Sequence, residues 1–154
     1  MKLRISTVLL IVAAAAFGCT TVEYYQPPAS ANSPQTAATV VGSRLNLLSL
    51  VRGVEVSIIR VDDKPAPVFS YDKPFLIAPG VHRVVISAQQ GTESASALVD
   101  FNFEARRSYI VRSSDIRGGA SEVWLEDQGT GQVVGRKFRA DMAGNAPRSP
   151  APSG

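Results

Sequence analysis

Val99-Asp100-Phe101-Asn102-Phe103-Glu104 sets large apolar residues against polar ones at a strict period of two. In an extended strand successive side chains leave opposite faces, so Val99, Phe101 and Phe103 share one face and Asp100, Asn102 and Glu104 the other. A helix would scatter the same residues around its circumference. The pattern spreads in both directions. Upstream, Val54, Val56 and Ile58 alternate with Glu55, Ser57 and Ile59, and His82, Val84, Ile86 and Ala88 with Val81, Arg83, Val85 and Ser87. Downstream, Tyr109 and Val111 flank Ile110, and Val123 and Leu125 flank Trp124. No window of about twelve residues carries a stripe of helical period. Residues 43–51, with Leu45, Leu47 and Leu48, suit a helical turn or a buried strand equally.

Turn chemistry falls between these runs. Asp62-Asp63-Lys64-Pro65 is polar and ends in a residue without an N–H, and Pro79-Gly80 has the order of a type II turn. Gln89-Gln90-Gly91-Thr92 and Gly118-Gly119 read as loops, and Gln128-Gly129-Thr130-Gly131 as the turn into a last strand at Gln132-Val133-Val134. Short strands at roughly ten-residue spacing predict an all-β domain, a small antiparallel β-sandwich of about six to eight strands, with a barrel as the alternative.

The flanks differ in kind. Lys2 and Arg4 precede an uncharged apolar run over residues 8–17. With its lead-in the run is roughly 12 residues, short of the ~20 that cross a bilayer as a helix and within the range of a signal peptide. Ala16-Phe17-Gly18-Cys19 resembles the lipobox of bacterial lipoproteins, with Ala16 and Phe17 where Leu and a smaller residue are usual. The resemblance implies cleavage after Gly18 and diacylglycerol on the sulfur of Cys19. Cys19 is the only cysteine, so no intramolecular disulfide can form. Residues 1–18 are thus expected as a lipoprotein signal peptide and residues 19–38 as the lipidated cysteine with a disordered tether. The tether is rich in Thr, Ala, Ser, Gln and Pro and poor in large aliphatics. A free coil of that length would span roughly 25 Å on average and ~60 Å when stretched. Tyr24-Tyr25 interrupts it, either at lipid headgroups or docked on the domain. The domain is expected over residues 39–139 and a disordered, proline-rich tail over 140–154.

A second resemblance rests on four stretches. These are Val61-Asp62-Asp63-Lys64, Phe75-Leu76-Ile77-Ala78-Pro79-Gly80-Val81-His82-Arg83-Val84-Val85-Ile86, Phe103-Glu104-Ala105-Arg106-Arg107-Ser108-Tyr109-Ile110-Val111, and Val123-Trp124-Leu125-Glu126-Asp127-Gln128-Gly129-Thr130-Gly131-Gln132-Val133-Val134. They resemble small bacterial envelope lipoproteins with a PEGA-like β-sandwich, with Asp63 standing where Gly is usual. That resemblance implies a fold and an envelope address and carries no catalytic residues.

The charges suit this picture. Removing residues 1–18 takes Lys2 and Arg4 from the 16 basic residues, leaving them nearly balanced by 13 acidic ones. The basic character of the precursor is therefore no nucleic-acid footprint, and Arg106-Arg107 and Arg136-Lys137 are the only adjacent basic pairs.

Chemistry-bearing patterns are few. His82 is the only histidine, and with Cys19 acylated no His/Cys metal site can be assembled. Asp62-Asp63 reads as a solvated turn, and Glu126-Asp127 would leave a strand on opposite faces without converging. Gly129-Thr130-Gly131 reads as a hairpin turn, and no hydrolase elbow, P-loop or dinucleotide motif occurs. No enzyme activity, cofactor or metal is expected. His82 is expected to pack and bond a neighbouring loop. Trp124 either covers a second face or stacks on a glycan or protein partner, and both residues are candidate partner contacts. The expected function is a non-catalytic module at the periplasmic side of the outer membrane, since Thr20 stands where Asp tends to retain lipoproteins at the inner one. The alternative is a tethered carrier of a small ligand, or a periplasmic inhibitor. A cavity lined by Phe101, Phe103 and Tyr109 would favour the carrier, and a filled core the module.

Overall fold

The computed structural model describes residues 21–45, 53–67 and 71–142. The fold is all-β. Among the described residues ten strands follow one another as β1 (Ala38–Val41), β2 (Ser43–Leu45), β3 (Val54–Val61), β4 (Lys64–Pro65), β5 (Phe75–Ile77), β6 (Gly80–Gln90), β7 (Glu93–Phe103), β8 (Ser108–Ser113), β9 (Ala120–Asp127) and β10 (Val133–Asp141). The expected count is exceeded by short strands such as β4 and β5, too brief for any periodicity to register.

The strands form one sheet in the order β2-β3-β6-β7-β10-β9-β8-β1-β5, with β4 on β3. Pairing is antiparallel except between β1 and β8. The expected sandwich of two separate sheets gives way to a continuous sheet curled into a half-barrel. The two halves stay joined at β7 and β10 through the single pair Asp141↔Ser96. Bulges between Ile58 and Arg60 in β3 and between Val134 and Phe138 in β10 add the local twist that such a curl needs. Across the curl, Ser43 Oγ donates to the Val111 carbonyl and ties β2 back to β8.

The alternation anticipated in β3, β6, β7, β8 and β9 is realised. Val54, Val56, Ile58, Val84, Ile86, Ala88, Val99, Phe101, Phe103, Tyr109, Val111, Val123 and Leu125 are all buried in one core. β6 and β7 pair along their whole length from Gly80↔Phe103 to Gln90↔Glu93, so the two apolar faces are in register. The turn after Asp127 joins β9 to β10, with Asp127 N donating to the Gln132 carbonyl.

Gly42 makes the corner between β1 and β2. A Cβ there would lie 2.3 Å from the Val56 carbonyl oxygen and 2.7 Å from that of Tyr71, both backbone atoms that cannot swing aside. Gly42→Ala is expected to cost about 1–3 kcal/mol through this overpacking, read as a lower urea midpoint with unchanged m-value. An unaffected midpoint would show that the corner is not as tight as described.

Strands and buried residues also lie outside the expected span of 39–139. Of the expected tether, residues 21–38 are packed against the sheet in part: Tyr25, Ala31, Ala37 and Ala38 are buried, and Ala29–Ala31 forms a 3-10 turn. Composition argued for disorder, but small residues at Ala37 and Ala38 and one aromatic at Tyr25 find ready-made places on the folded domain. At the other end β10 continues to Asp141 and buries Ala140. Gly18, Cys19, Leu47, Leu48 and residues 143–154 lie outside the described residues.

Candidate functional site

Three clusters hold the polar side chains of interest. The first surrounds His82 at the start of β6. The β3–β4 hairpin turns on Asp62 (φ 48°) and Asp63 (φ 65°), two left-handed residues as a type I′ turn requires. Aspartate tolerates this conformation where most side chains do not. Asp62 then clamps the turn to β6: its Oδ1 accepts from Arg83 N at 3.0 Å and its Oδ2 from His82 Nδ1 at 2.5 Å. Both carboxylate oxygens are engaged by protein, so Asp62 acts as a clamp.

The His82 ring meets Tyr25 edge-on, centroids 6.1 Å apart, and Phe103 at 6.1 Å. Its side chain is 14% exposed. The expectation that it packs and bonds a neighbouring loop matches this geometry, which leaves little imidazole for a partner. Tyr25 closes the cluster: its N–H donates to the Pro65 carbonyl at 2.7 Å, and its hydroxyl accepts from Ala78 N at 3.0 Å. Burial pushes the Tyr25 phenol up from its ordinary range, partly opposed by the Ala78 amide.

The second cluster lies on the outer face. Trp124 points away from Val123 and Leu125 and is half-buried. Its Nε1 donates to Glu126 Oε1 at 2.8 Å, and Glu126 Oε2 accepts from Arg112 Nε at 3.1 Å. The β10 bulge brings Lys137 Nζ to 4.4 Å from the centre of the Trp124 ring. A glycan stacking on that face of the indole would have to displace this ammonium. Glu126 and Asp127 leave β9 on opposite faces, as expected of neighbours in a strand.

The third cluster surrounds Asp127. Its Oδ1 accepts from Gly129 N at 2.9 Å and Thr130 N at 3.0 Å, and its Oδ2 from Arg107 Nη1 at 3.0 Å. The Thr130 amide above all, then the Arg107 guanidinium and the Gly129 amide, hold the Asp127 carboxyl below its ordinary range. The role of Asp127 as turn anchor was missed in the sequence, although an Asp opening a Gly-Thr-Gly turn is the usual signal for such a cap.

The sign of the pH effect follows. A carboxyl with a depressed folded pKa stabilises the fold above its ordinary value of about 3.9, and that contribution is lost as pH falls through the lower folded value. Asp127→Asn is expected to lower stability at pH 7 and to flatten its decline as pH falls below about 4, measured by urea unfolding at a series of acidic pH values. An identical pH slope in variant and parent would contradict the assignment.

Both adjacent basic pairs are engaged within the chain. Arg106 Nε donates to the Gln35 carbonyl, Arg107 bridges Glu104 and Asp127, Arg136 lies over Phe138 and Lys137 over Trp124. A groove of about 510 Å³ opens beside β9, where Arg117 and Arg139 flank the linked hydroxyls of Ser114 and Ser121. Its charges are answered locally by Asp115 and Asp141. Phe101, Phe103 and Tyr109 stack on one another at centroid distances of 4.7, 5.5 and 5.5 Å and do not line this groove. Among the described residues no group of three His, Cys, Asp or Glu side chains is placed to hold a metal ion. No protein-family model, curated protein or solved structure matches the chain.

Proposed function

We propose that the chain is a lipid-anchored envelope lipoprotein, cut after Gly18 and acylated on Cys19. Its β domain is a non-catalytic structural or interaction module at the periplasmic face of the outer membrane. The observation that carries this reading is the order of the first nineteen residues: Lys2 and Arg4, an apolar run too short to span a bilayer, then Ala16-Phe17-Gly18-Cys19 with the only cysteine at its end. The filled aromatic core supports the module over the ligand carrier. Phe101, Phe103 and Tyr109 are buried and pack edge-on or tilted against one another, where a carrier would open them to a ligand. The outer face around Arg112, Trp124 and Lys137 is the surface offered to an envelope protein or glycan.

Feeding cells an alkyne fatty acid tests the anchor. The chain is expected to take up the label, and globomycin, which blocks the lipoprotein-specific peptidase, to leave the uncut precursor in its place. A chain that matures unlabelled in the presence of globomycin would overturn the proposal.

A further inference from the structure

β6 and β7 pair without a break from Gly80↔Phe103 to Gln90↔Glu93, and the other edge of β7 faces β10. Along an antiparallel ladder, residues that bond the neighbouring strand alternate with residues that turn both backbone groups the other way. Arg83 sets the phase. Its carbonyl accepts from Asp62 N at 2.8 Å and its N–H donates to Asp62 Oδ1, so both of its backbone groups face β3. Its partner on β7, Asp100, therefore turns its N–H and carbonyl away from β6. By the same alternation so do Leu98 and Asn102.

That edge is open over a defined run. β10 meets β7 at the pair Asp141↔Ser96. Past that pair, among the described residues, no strand lies alongside Leu98, Asp100 and Asn102, and all three are exposed where Ser96 is half-buried. The run closes at its other end, where Glu104 N donates to Tyr109 Oη at 3.1 Å. The two strands that part here are built differently. β10 bulges, carries Gly135 at φ 79° and presents Arg136 and Lys137, devices that discourage further pairing. β7 runs its whole length without a Pro, a Lys or a bulge. Leu98 is 61% exposed and lies opposite Val85, which gives a strand laid alongside an apolar contact on the outer face.

We infer that the Leu98–Asn102 edge of β7 is a docking site for an extended segment of another protein, which joins the sheet as an added strand. Backbone groups supply the bonds, and Leu98 favours an apolar residue beside it. The chain's own tail suits the edge badly. Pro147, Pro150 and Pro152 have no N–H to give, and β10 runs antiparallel to β7, so past Asp141 the chain heads away from Asn102. A second copy suits it no better, since full antiparallel pairing of the open run with itself sets Asp100 opposite Asp100. The site rests on the reading of the domain as an interaction module and is independent of the anchor at Cys19.

The test is amide hydrogen exchange, read by NMR on the isotope-labelled full chain in detergent micelles. The probe is a capped synthetic peptide of alternating Thr and Val with a Lys at each end. In the parent alone, the amides of Leu98, Asp100 and Asn102 are expected to exchange much faster than those of Val99, Phe101 and Phe103, which bond β6. Adding the peptide is expected to slow the first three several-fold and leave the others unchanged. Asp100→Pro removes an edge N–H that the fold does not use, so it is expected to fold like Asp100→Ala, which controls for the lost ion pair to Arg83. Only the proline variant is expected to lose the peptide's protection at Leu98 and Asn102. Slow exchange at all six positions before peptide is added overturns the open edge, and that reading needs no variant. Absence of protection by the peptide, or protection that survives Asp100→Pro, overturns the docking site. The mass of the Cys19 peptide from the same sample judges the anchor separately.

Discussion

Replacing Phe103 by alanine is expected to cost about 3–5 kcal/mol, the range seen when a large aromatic is deleted from a packed interior. Phe103 is 1% exposed and joins three parts of the fold. It stacks on Phe101 of its own strand, meets Tyr109 of β8 across the curl, and supports the His82 ring that receives Tyr25. The loss has two parts, the transfer of the ring from water that no longer occurs and a cavity that the strand framework cannot close. Against a total stability of roughly 5–15 kcal/mol for a domain of this kind, such a change removes a large fraction of the margin. Urea unfolding followed by Trp124 fluorescence measures it, and Phe103→Leu is expected to cost clearly less because it refills part of the space. If the alanine variant lost less than about 1 kcal/mol, the aromatic cluster would not be the centre of the core.

Cys19→Ser is expected to have the largest effect on where the protein resides. Each buried methylene contributes about 0.8 kcal/mol to membrane affinity, and two or more chains anchor stably where one does not. Serine offers no thiol to acylate, so all of that affinity disappears at once. The variant is expected to lose the fatty-acid label and leave the membrane pellet after cell fractionation, while folding as the parent does. A variant that stayed membrane-bound after a carbonate wash would place the source of membrane attachment elsewhere in the chain.

The strand framework was legible because β3, β6, β7, β8 and β9 are long enough for a period of two to register, and each buries one face only. The curl was not legible. It depends on how the sheet halves meet at Asp141↔Ser96 and on bulges in β3 and β10, which alternation does not encode. The packed segment ahead of β1 was hidden for a related reason. Its composition is that of a disordered chain, and its order is supplied by partners remote in sequence, Pro65 and Ala78 for Tyr25 and Arg106 for Gln35. At the candidate contacts, the facing of Trp124 away from the core followed from its place between Val123 and Leu125. Its cover by Lys137 did not, since the β10 bulge shifts that residue over the ring. His82 was legible as a packing residue, because it shares a strand face with Val84 and Ile86 and lies one residue beyond the Pro79-Gly80 turn.

In the proposed arrangement one processed cysteine joins this β domain to the membrane. Intact-mass and N-terminal peptide mass spectrometry on the protein purified from membranes tests it most directly. The expected product is a mature chain that begins at Cys19, lacks residues 1–18, and carries the added mass of a diacylglycerol on the sulfur. A mature chain with Cys19 as a free thiol, or cut so that Cys19 is no longer its first residue, would contradict it.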